Sequence, residues 1–222
     1  MAVAHRAIRA EDKAARRAAI LDAAARLLRD DPGRVANVAD VARAAGVAKG
    51  TVYLYFPGKE DLLLALHERN VERFFETLCA RLDALAPLST DAVLAVVRAH
   101  VVDDALFLPL AARCLGVMQQ AIEPALVDAF RGRMAKRLER AGEGLERHFA
   151  VKAGEGVALL RRSFALIVGL WQLAPVAERR AANPGEPDEL RFALAAEVDA
   201  ALSVLWRGAM APTSARHPRQ AR

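Results

Sequence analysis

Hydrophobic side chains recur at three- and four-residue steps along most of the 222-residue chain, as they do in amphipathic helices. A first helix is predicted at about 14–29, and short helices follow at about 38–45 and 49–56. Pro57-Gly58 separates the third helix from a long amphipathic one, because neither residue continues a helix cheaply. No stretch alternates between apolar and polar residues as a strand does, so the predicted fold class is all-α.

The second half of the chain has the same periodicity, interrupted by segments rich in proline and glycine. Five further helices are predicted, at about 90–104, 106–120, 123–149, 155–180 and 187–209. Ser89 is a candidate N-cap for the first of these.

Residues 38–56 have the spacing of two short helices joined by a tight turn. Ala42 is small where crossing helices must approach each other, and Gly46 tolerates a positive φ in the turn. Val47 and Val52 supply apolar contacts between the two arms. The segment therefore predicts a helix-turn-helix.

The second arm of this motif would expose a polar face. That face carries Lys49, Thr51, Tyr53, Leu54 and Tyr55. The small residues Gly50 and Thr51 would let the helix lie close to base edges, and the Tyr53 hydroxyl can reach a phosphate oxygen. Two alternatives stay open: Lys49 as a solvated surface lysine, and the tyrosine rings as packing residues.

Two segments, Arg17–Ala24 and Gly46–Leu63, resemble the N-terminal domain of the tetracycline-repressor (TetR) family of transcription regulators, over about the first third of the chain. The resemblance implies three DNA-binding helices, a fourth linking helix and a C-terminal domain of five or more helices. It also implies which residues face the major groove and its backbone: Lys49, Gly50, Thr51, Tyr53, Leu54 and Tyr55. Lys59, at the start of the linking helix, would hold a phosphate.

The chain departs from the family pattern at two positions. Asn37 and Val38 fall where family members place a Ser/Thr pair that caps the second helix and touches the DNA backbone. Asn37 preserves the cap, whereas Val38 cannot form a hydrogen bond. Ala48 replaces a common serine, which removes one possible phosphate contact and leaves the fold intact.

The net charge of +5 is concentrated at the two ends of the chain. Residues 1–66 carry 11 lysines and arginines against 8 acids, residues 211–222 carry three arginines, and residues 67–210 carry 18 against 19. A basic end suits a polyanion, although a solvated basic surface is the commoner reason for such a charge. The basic side chains before the first helix's apolar stripe would either enter a minor groove or form a charged tail: Arg6, Arg9, Lys13, Arg16 and Arg17.

These observations predict three parts: a helix-turn-helix DNA-binding domain at 14–60, a helical ligand-binding and dimerisation domain at 61–210, and flexible basic termini at 1–13 and 211–222. Residues from Val157 to Ala177 are apolar nearly all round, and the last helix has an apolar stripe of Leu194, Val198, Leu202 and Leu205 with Trp206 alongside. Two such helices suggest a four-helix interface in a homodimer. Core packing within one chain is the alternative.

An apolar pocket with a few polar groups is the usual form of a small-molecule site. The candidate pocket residues are His100, Phe107, Arg113, Cys114, Met118, Phe164, Trp171 and Gln172. His100 with Asp103 and Asp104 lacks a partner cluster, so no metal and no cofactor are expected.

Several functional classes are disfavoured. The two cysteines form no CxxC, the N-terminus lacks the apolar core of a signal peptide, and residues 164–177 are too short and broken to span a bilayer. No P-loop, GxSxG, HExxH or dinucleotide-binding turn is present, so the chain is not expected to be an enzyme. We expect a cytoplasmic homodimeric repressor, released from a palindromic operator in double-stranded DNA by an unknown small-molecule effector. The alternative is a helical small-molecule-binding or adaptor protein that no longer binds DNA.

Overall fold

The computed structural model describes residues 2–31, 37–84, 86–117, 122–174 and 193–210, and the side chains of residues 2–10, 115 and 117 lie outside that description. The α-helices are α1 (Ala2–Asp30), α2 (Val38–Ala44), α3 (Lys49–Tyr55), α4 (Lys59–Asp83), α5 (Thr90–Val97), α6 (Phe107–Val117), α7 (Pro124–Phe149), α8 (Glu155–Leu173) and α9 (Leu194–Met210). A π-helical turn, Arg98–Val102, follows α5. Over these ranges all regular structure is helical, which confirms the all-α prediction.

Two compact units make up the chain, and each has its own core. The first unit is Met1–Phe74 with His100–Met134, and the second is Phe75–Ala99 with Ala135–Arg222. The main core of the first unit is built from apolar side chains of α1 to α4, joined by Leu106 and by Leu110 of α6. This core fixes where α2 and α3 lie.

The first helix is longer than the sequence predicts. It begins at Ala2, so the prediction of a flexible arm over residues 1–13 and a helix from Ala14 is wrong. Residues 2–31 contain no glycine or proline and are rich in alanine, arginine and other strong helix formers. The high charge of this segment is therefore compatible with a helix and does not mark an unstructured arm.

Two local hydrogen bonds define the helices that follow α4. Ser89 caps α5, its Oγ accepting from the backbone N–H of Ala92 at 3.1 Å, as predicted. The helix predicted over 90–104 instead passes into the π-helical turn after Val97. Asp104 Oδ1 accepts from the backbone N–H of Leu106 at 2.8 Å just before α6, so this carboxylate already has a structural role.

The structure describes only part of the other helices predicted in the second half of the chain. Helix α6 is described to Val117 and α9 from Leu194, whereas α8 ends at Leu173 because Ala174, with ψ 132°, leaves the helical conformation, so the helix predicted over 155–180 is shorter than expected. The predicted helical stretches at 118–120, 175–180 and 187–192 lie outside the described residues, as does the basic tail at 211–222.

Close helix crossings hold the second unit together. Gly156 at the start of α8 meets Gly142 of α7 so closely that a Cβ at position 156 would lie 2.2 Å from the Gly142 carbonyl oxygen. Between α8 and α9, the buried Trp206 donates its Nε1–H to Ser163 Oγ at 2.9 Å, and Ser163 donates to the Leu159 carbonyl at 2.8 Å. Part of the predicted interface stripe, Trp206 included, therefore packs within the chain.

Candidate nucleic-acid interface

Helix α2 begins and ends with specific local chemistry. Asn37 has extended backbone, and its Oδ1 accepts from the backbone N–H of Asp40 at 2.8 Å, which satisfies one of the unpaired donors of the first turn. The Asp40 carboxylate lies in that same turn, where the helix dipole favours negative charge. Val38 is buried, so this departure from the family pattern contributes to the core.

A tight turn joins α2 to α3. Gly46 has φ +67°, a left-handed conformation that L side chains rarely adopt, and the backbone N–H of Val47 returns to the Ala42 carbonyl at 3.0 Å. Ala48 is extended and its side chain makes no capping bond, and the backbone N–H of Thr51 donates to the Ala48 carbonyl at 2.9 Å as α3 begins at Lys49. The backbone geometry of the turn thus helps to set the direction of α3.

Two apolar residues fix one face of α3 and leave the other outward. Val52 is fully buried and Phe56, directly after the helix, is 3% exposed. The Arg17 guanidinium lies 5.3 Å from the centre of the Phe56 ring, so α1 covers this anchor with a cation–π contact. The opposite face carries Tyr53 at 43% exposure and Leu54 at 82%.

The outward face of α3 bears groups that suit a nucleic-acid backbone and base edges. Lys49 and Gly50 are exposed, Thr51 is half-buried, and the Lys49 Nζ lies 5.9 Å from the Tyr53 ring centre. Ammonium and hydroxyl groups donate to phosphate oxygens, and an exposed leucine can contact a thymine methyl. The seven residues of α3 include no carboxylate, so nothing on this helix repels an anion.

Two residues of the predicted DNA-binding set are less accessible. Tyr55 is half-buried and packs against the core of the first unit, which supports the packing alternative for its ring. Lys59, the first residue of α4, is also half-buried. Asn37 is exposed, although its side-chain oxygen is already engaged as the cap of α2.

The structure adds basic residues that the sequence pattern does not single out. The Arg43 side chain on α2 is 81% exposed, with its guanidinium 3.5 Å from Asp40. Arg26 on α1 donates to the carbonyl of Ala44 at the end of α2, at 3.4 Å. An open cleft of about 550 Å³ also separates α1 from the turn and from the start of α3, with Arg16 and Thr51 among its lining residues. The position of Arg43 beside the predicted turn was the sequence feature that could have indicated its place at this surface.

Comparison with known families covers both parts of the chain. A model described as "Bacterial regulatory proteins, tetR family" matches residues 20–66, which span α2, α3 and the start of α4. A second, described as "Tetracyclin repressor-like, C-terminal domain", matches residues 68–213. The chain belongs to the TetR family.

Two curated relatives share part of their length with this TetR-family chain. The fatty acid metabolism regulator protein of Bacillus subtilis (strain 168) is 39% identical over 59 residues, 27% of this chain and 30% of that protein. The HTH-type transcriptional regulator EthR of Mycobacterium tuberculosis (strain ATCC 25618 / H37Rv) is 45% identical over 58 residues, 26% and 27% of the two chains. The chain thus matches less than a third of the length of either relative.

A solved structure extends the likeness of fold over most of this TetR-family chain. The fatty acid degradation regulator FadR from Bacillus halodurans has a TM-score of 0.54 and 21% identity, and the match covers 86% of this chain and 97% of that one. At this identity the match shows the fold alone.

The residues predicted for an effector pocket divide between the two units. His100, Phe107, Arg113 and Cys114 belong to the first unit, Phe164, Trp171 and Gln172 belong to the second, and Met118 lies outside the described residues. The pocket assignment therefore stays a prediction.

Two members of this set have defined surroundings in the first unit. Arg113 donates to both carboxylate oxygens of Glu60, at 2.9 and 3.3 Å, so its charge is compensated. Cys114 is 1% exposed, and burial, with the Glu60 charge second, raises the pKa of its thiol to about 12. The thiol is therefore protonated and behaves as a small apolar group.

Two buried polar residues of α4, His67 and Asn70, are absent from the predicted pocket set. The sequence places them within a long amphipathic helix but gives no indication that they are buried, because asparagine is usually exposed and histidine is intermediate in its burial. Phe107 contacts the His67 ring edge to face, with ring centres 5.4 Å apart.

Proposed function

We propose that this TetR-family chain is a cytoplasmic homodimeric transcriptional repressor that binds a palindromic operator through α3 and leaves it when a small-molecule effector binds. The observation that carries the proposal is the outward face of α3, on which Lys49, Tyr53 and Leu54 are exposed while Val52 and Phe56 hold the opposite face in the core. A helix held in this way presents donors for phosphates and an apolar contact for a base edge.

The family match supports the same assignment. The name of the Mycobacterium tuberculosis relative describes an HTH-type transcriptional regulator, that of the Bacillus subtilis relative describes a regulator of fatty acid metabolism, and residues 20–66 match the regulatory model. In such motifs the second helix of the pair enters the major groove, and dimers bind half-sites separated by about one helical turn.

Apolar surface in the second unit supports the dimer. Leu173 at the end of α8 is 74% exposed and Val204 on α9 is 64% exposed. Only 28% of the most apolar stretch of α8 is buried within the chain. By length and composition alone, this helix could also cross a membrane. We assign the uncovered face to a second copy of the chain, since large exposed apolar patches in soluble proteins commonly mark interfaces.

The proposal is tested by selecting duplexes from a randomised pool with the purified protein and then measuring affinity for the selected sequence. We expect an inverted repeat, and we expect Tyr53→Phe to weaken binding about 10-fold or more, because each protomer loses a hydrogen bond to a charged phosphate. Lys136→Ala, which removes an exposed lysine from α7, is the matched control and should bind as the wild type does.

Two results would contradict the proposal. A pool without enrichment would favour a helical ligand-binding or adaptor protein that does not read DNA. Enrichment with equal affinities for the wild type and Tyr53→Phe would contradict the assignment of the phosphate contact to Tyr53.

A further inference from the structure

Two buried polar side chains on α4 each have one nitrogen without a hydrogen-bond partner. His67 is 5% exposed and Asn70 is 4% exposed, and neither His67 Nδ1 nor Asn70 Nδ2 has a partner. The two residues are three apart in a helix, so they lie one turn from each other on the same side of α4. Buried polar groups in proteins are nearly always hydrogen-bonded, and each exception calls for an explanation.

The surroundings of His67 are aromatic. The His67 ring lies between Phe107 of α6, at 5.4 Å and nearly perpendicular, and Phe130 of α7, at 6.2 Å. Phe130 in turn packs in a buried cluster with Leu64 and Cys114. His67 therefore places a hydrogen-bonding nitrogen among aromatic side chains, and Asn70 lies one turn further along the same side of α4.

Other buried polar groups of the chain show that the fold can satisfy such atoms when they are structural. Ser163 is 3% exposed, and its hydroxyl both donates to Leu159 and accepts from Trp206. A third unpartnered atom, Arg69 Nε, belongs to a guanidinium whose other nitrogens bind Asp22 and the Leu21 carbonyl. His67 and Asn70 thus differ from Ser163. A ligand that forms the missing hydrogen bonds would offset the free-energy cost of burying them.

Charge around the pair is already compensated. Within the described part of the chain, three arginines that contact α4 or lie on it are paired: Arg69 with Asp22, Arg113 with Glu60 and Arg133 with Glu68. Burial lowers the pKa of His67 to about 4, so its ring is neutral near pH 7. The site therefore offers hydrogen bonds without a surplus positive charge, which disfavours an anionic head group.

We propose that His67 and Asn70 are the polar recognition groups of an effector site against Phe107 and Phe130, and that the effector is an uncharged, mainly apolar molecule whose carbonyl-type oxygen accepts a hydrogen bond from Asn70. This inference rests on the proposed repressor function for the consequence of binding. The assignment of His67 and Asn70 to a ligand site rests on their burial and on their unpartnered nitrogen atoms alone.

The test uses neutral ketones as probes, acetophenone and 2-octanone, with ethylbenzene as the hydrocarbon control and benzoate as the anionic one. Asn70→Leu keeps the approximate size of the side chain and removes the unpartnered donor. We expect its Tm to be equal to that of the wild type or about 2–4 °C higher, because a buried unpartnered group is removed. We expect its affinity for both ketones to fall about 10-fold or more, with ethylbenzene binding both proteins alike and benzoate binding neither well.

His67→Phe is a second variant, which keeps an aromatic ring and removes the ring nitrogens. It should fold and should also lose affinity for the ketones relative to ethylbenzene. A lower Tm or loss of folding in Asn70→Leu would mean that Asn70 serves the fold, and would overturn the proposal. Equal ketone binding by the wild type and both variants would overturn it as well.

Operator affinity is measured in the same samples so that two failures can be told apart. A wild-type protein that binds ketones through Asn70 but binds no duplex contradicts the repressor function and leaves the ligand site standing. A protein that binds its operator, with no difference between the ketones and ethylbenzene in either binding or release, contradicts the ligand site alone.

Discussion

Replacing Gly156 with alanine tests the closest helix crossing described in the second unit. The added Cβ would lie 2.2 Å from the Gly142 carbonyl oxygen and 2.9 Å from the Gly142 Cα. Both of these atoms belong to backbone, so no side-chain rotation relieves the overlap and the helices must separate. Separation also strains the bonds at 2.8 and 3.1 Å from the N–H groups of Gly154 and Gly156 to Glu146 Oε1.

The expected cost follows from this geometry. Overpacking a core costs about 1–3 kcal/mol, and a backbone-on-backbone clash lies at the upper end of that range, at about 3 kcal/mol. For a chain of this length, a loss of that size lowers Tm by about 6–12 °C. Thermal unfolding is followed by far-ultraviolet circular dichroism at one protein concentration, because a dimer's Tm depends on concentration.

Gly132→Ala is the matched control on α7. Gly132 is exposed and a Cβ there would meet nothing within 4 Å, so the substitution should stabilise the helix by up to about 1 kcal/mol. If Gly156→Ala were as stable as the wild type, or if both variants lost the same stability, the close approach of α7 and α8 would be refuted.

Three further predictions use the same proteins and assays. Gly46→Ala should cost about 1–2 kcal/mol in the free energy of unfolding, since its φ of +67° is strained for alanine while space around it is open, and equal stability would contradict the turn geometry. The free energy of unfolding should fall by about 3 kcal/mol as the pH is lowered from 6.5 to about 4, because burial keeps the folded His67 ring neutral while the unfolded ring takes up a proton. This loss should shrink in His67→Phe, and a pH profile unchanged by the substitution would contradict the prediction. Leu173→Arg with Val204→Arg should leave circular dichroism intact while sedimentation shows a monomer, and a persistent dimer would place the interface elsewhere.

The helix-turn-helix could be predicted because its determinants are local. Asn37 caps the helix that starts one residue later, and Gly46 takes the positive φ that the turn requires. Both effects depend on a few consecutive residues, so they can be predicted from the sequence. The orientation of Tyr55 stays open at the level of sequence because its place on a short helix lies between the buried and the exposed face, and packing against the core decides it.

Features that depend on distant partners were not predictable in the same way. Gly142 and Gly156 approach each other from two different helices, and the sequence around either glycine does not indicate which residue it contacts. The burial of His67 and Asn70 depends on α6 and α7 packing beside α4, which periodicity does not specify.

The salt dependence of operator affinity tests the central claim most directly. If α3 and the start of α4 bind phosphates, the logarithm of the association constant should fall linearly with the logarithm of salt concentration. Lys49→Ala and Lys59→Ala should each reduce the steepness by about one for every phosphate that the lysine no longer neutralises, hence by about two for a dimer, while Lys136→Ala should leave it unchanged. Affinity that does not respond to salt, or slopes identical in all four proteins, would contradict the assignment of this surface to DNA.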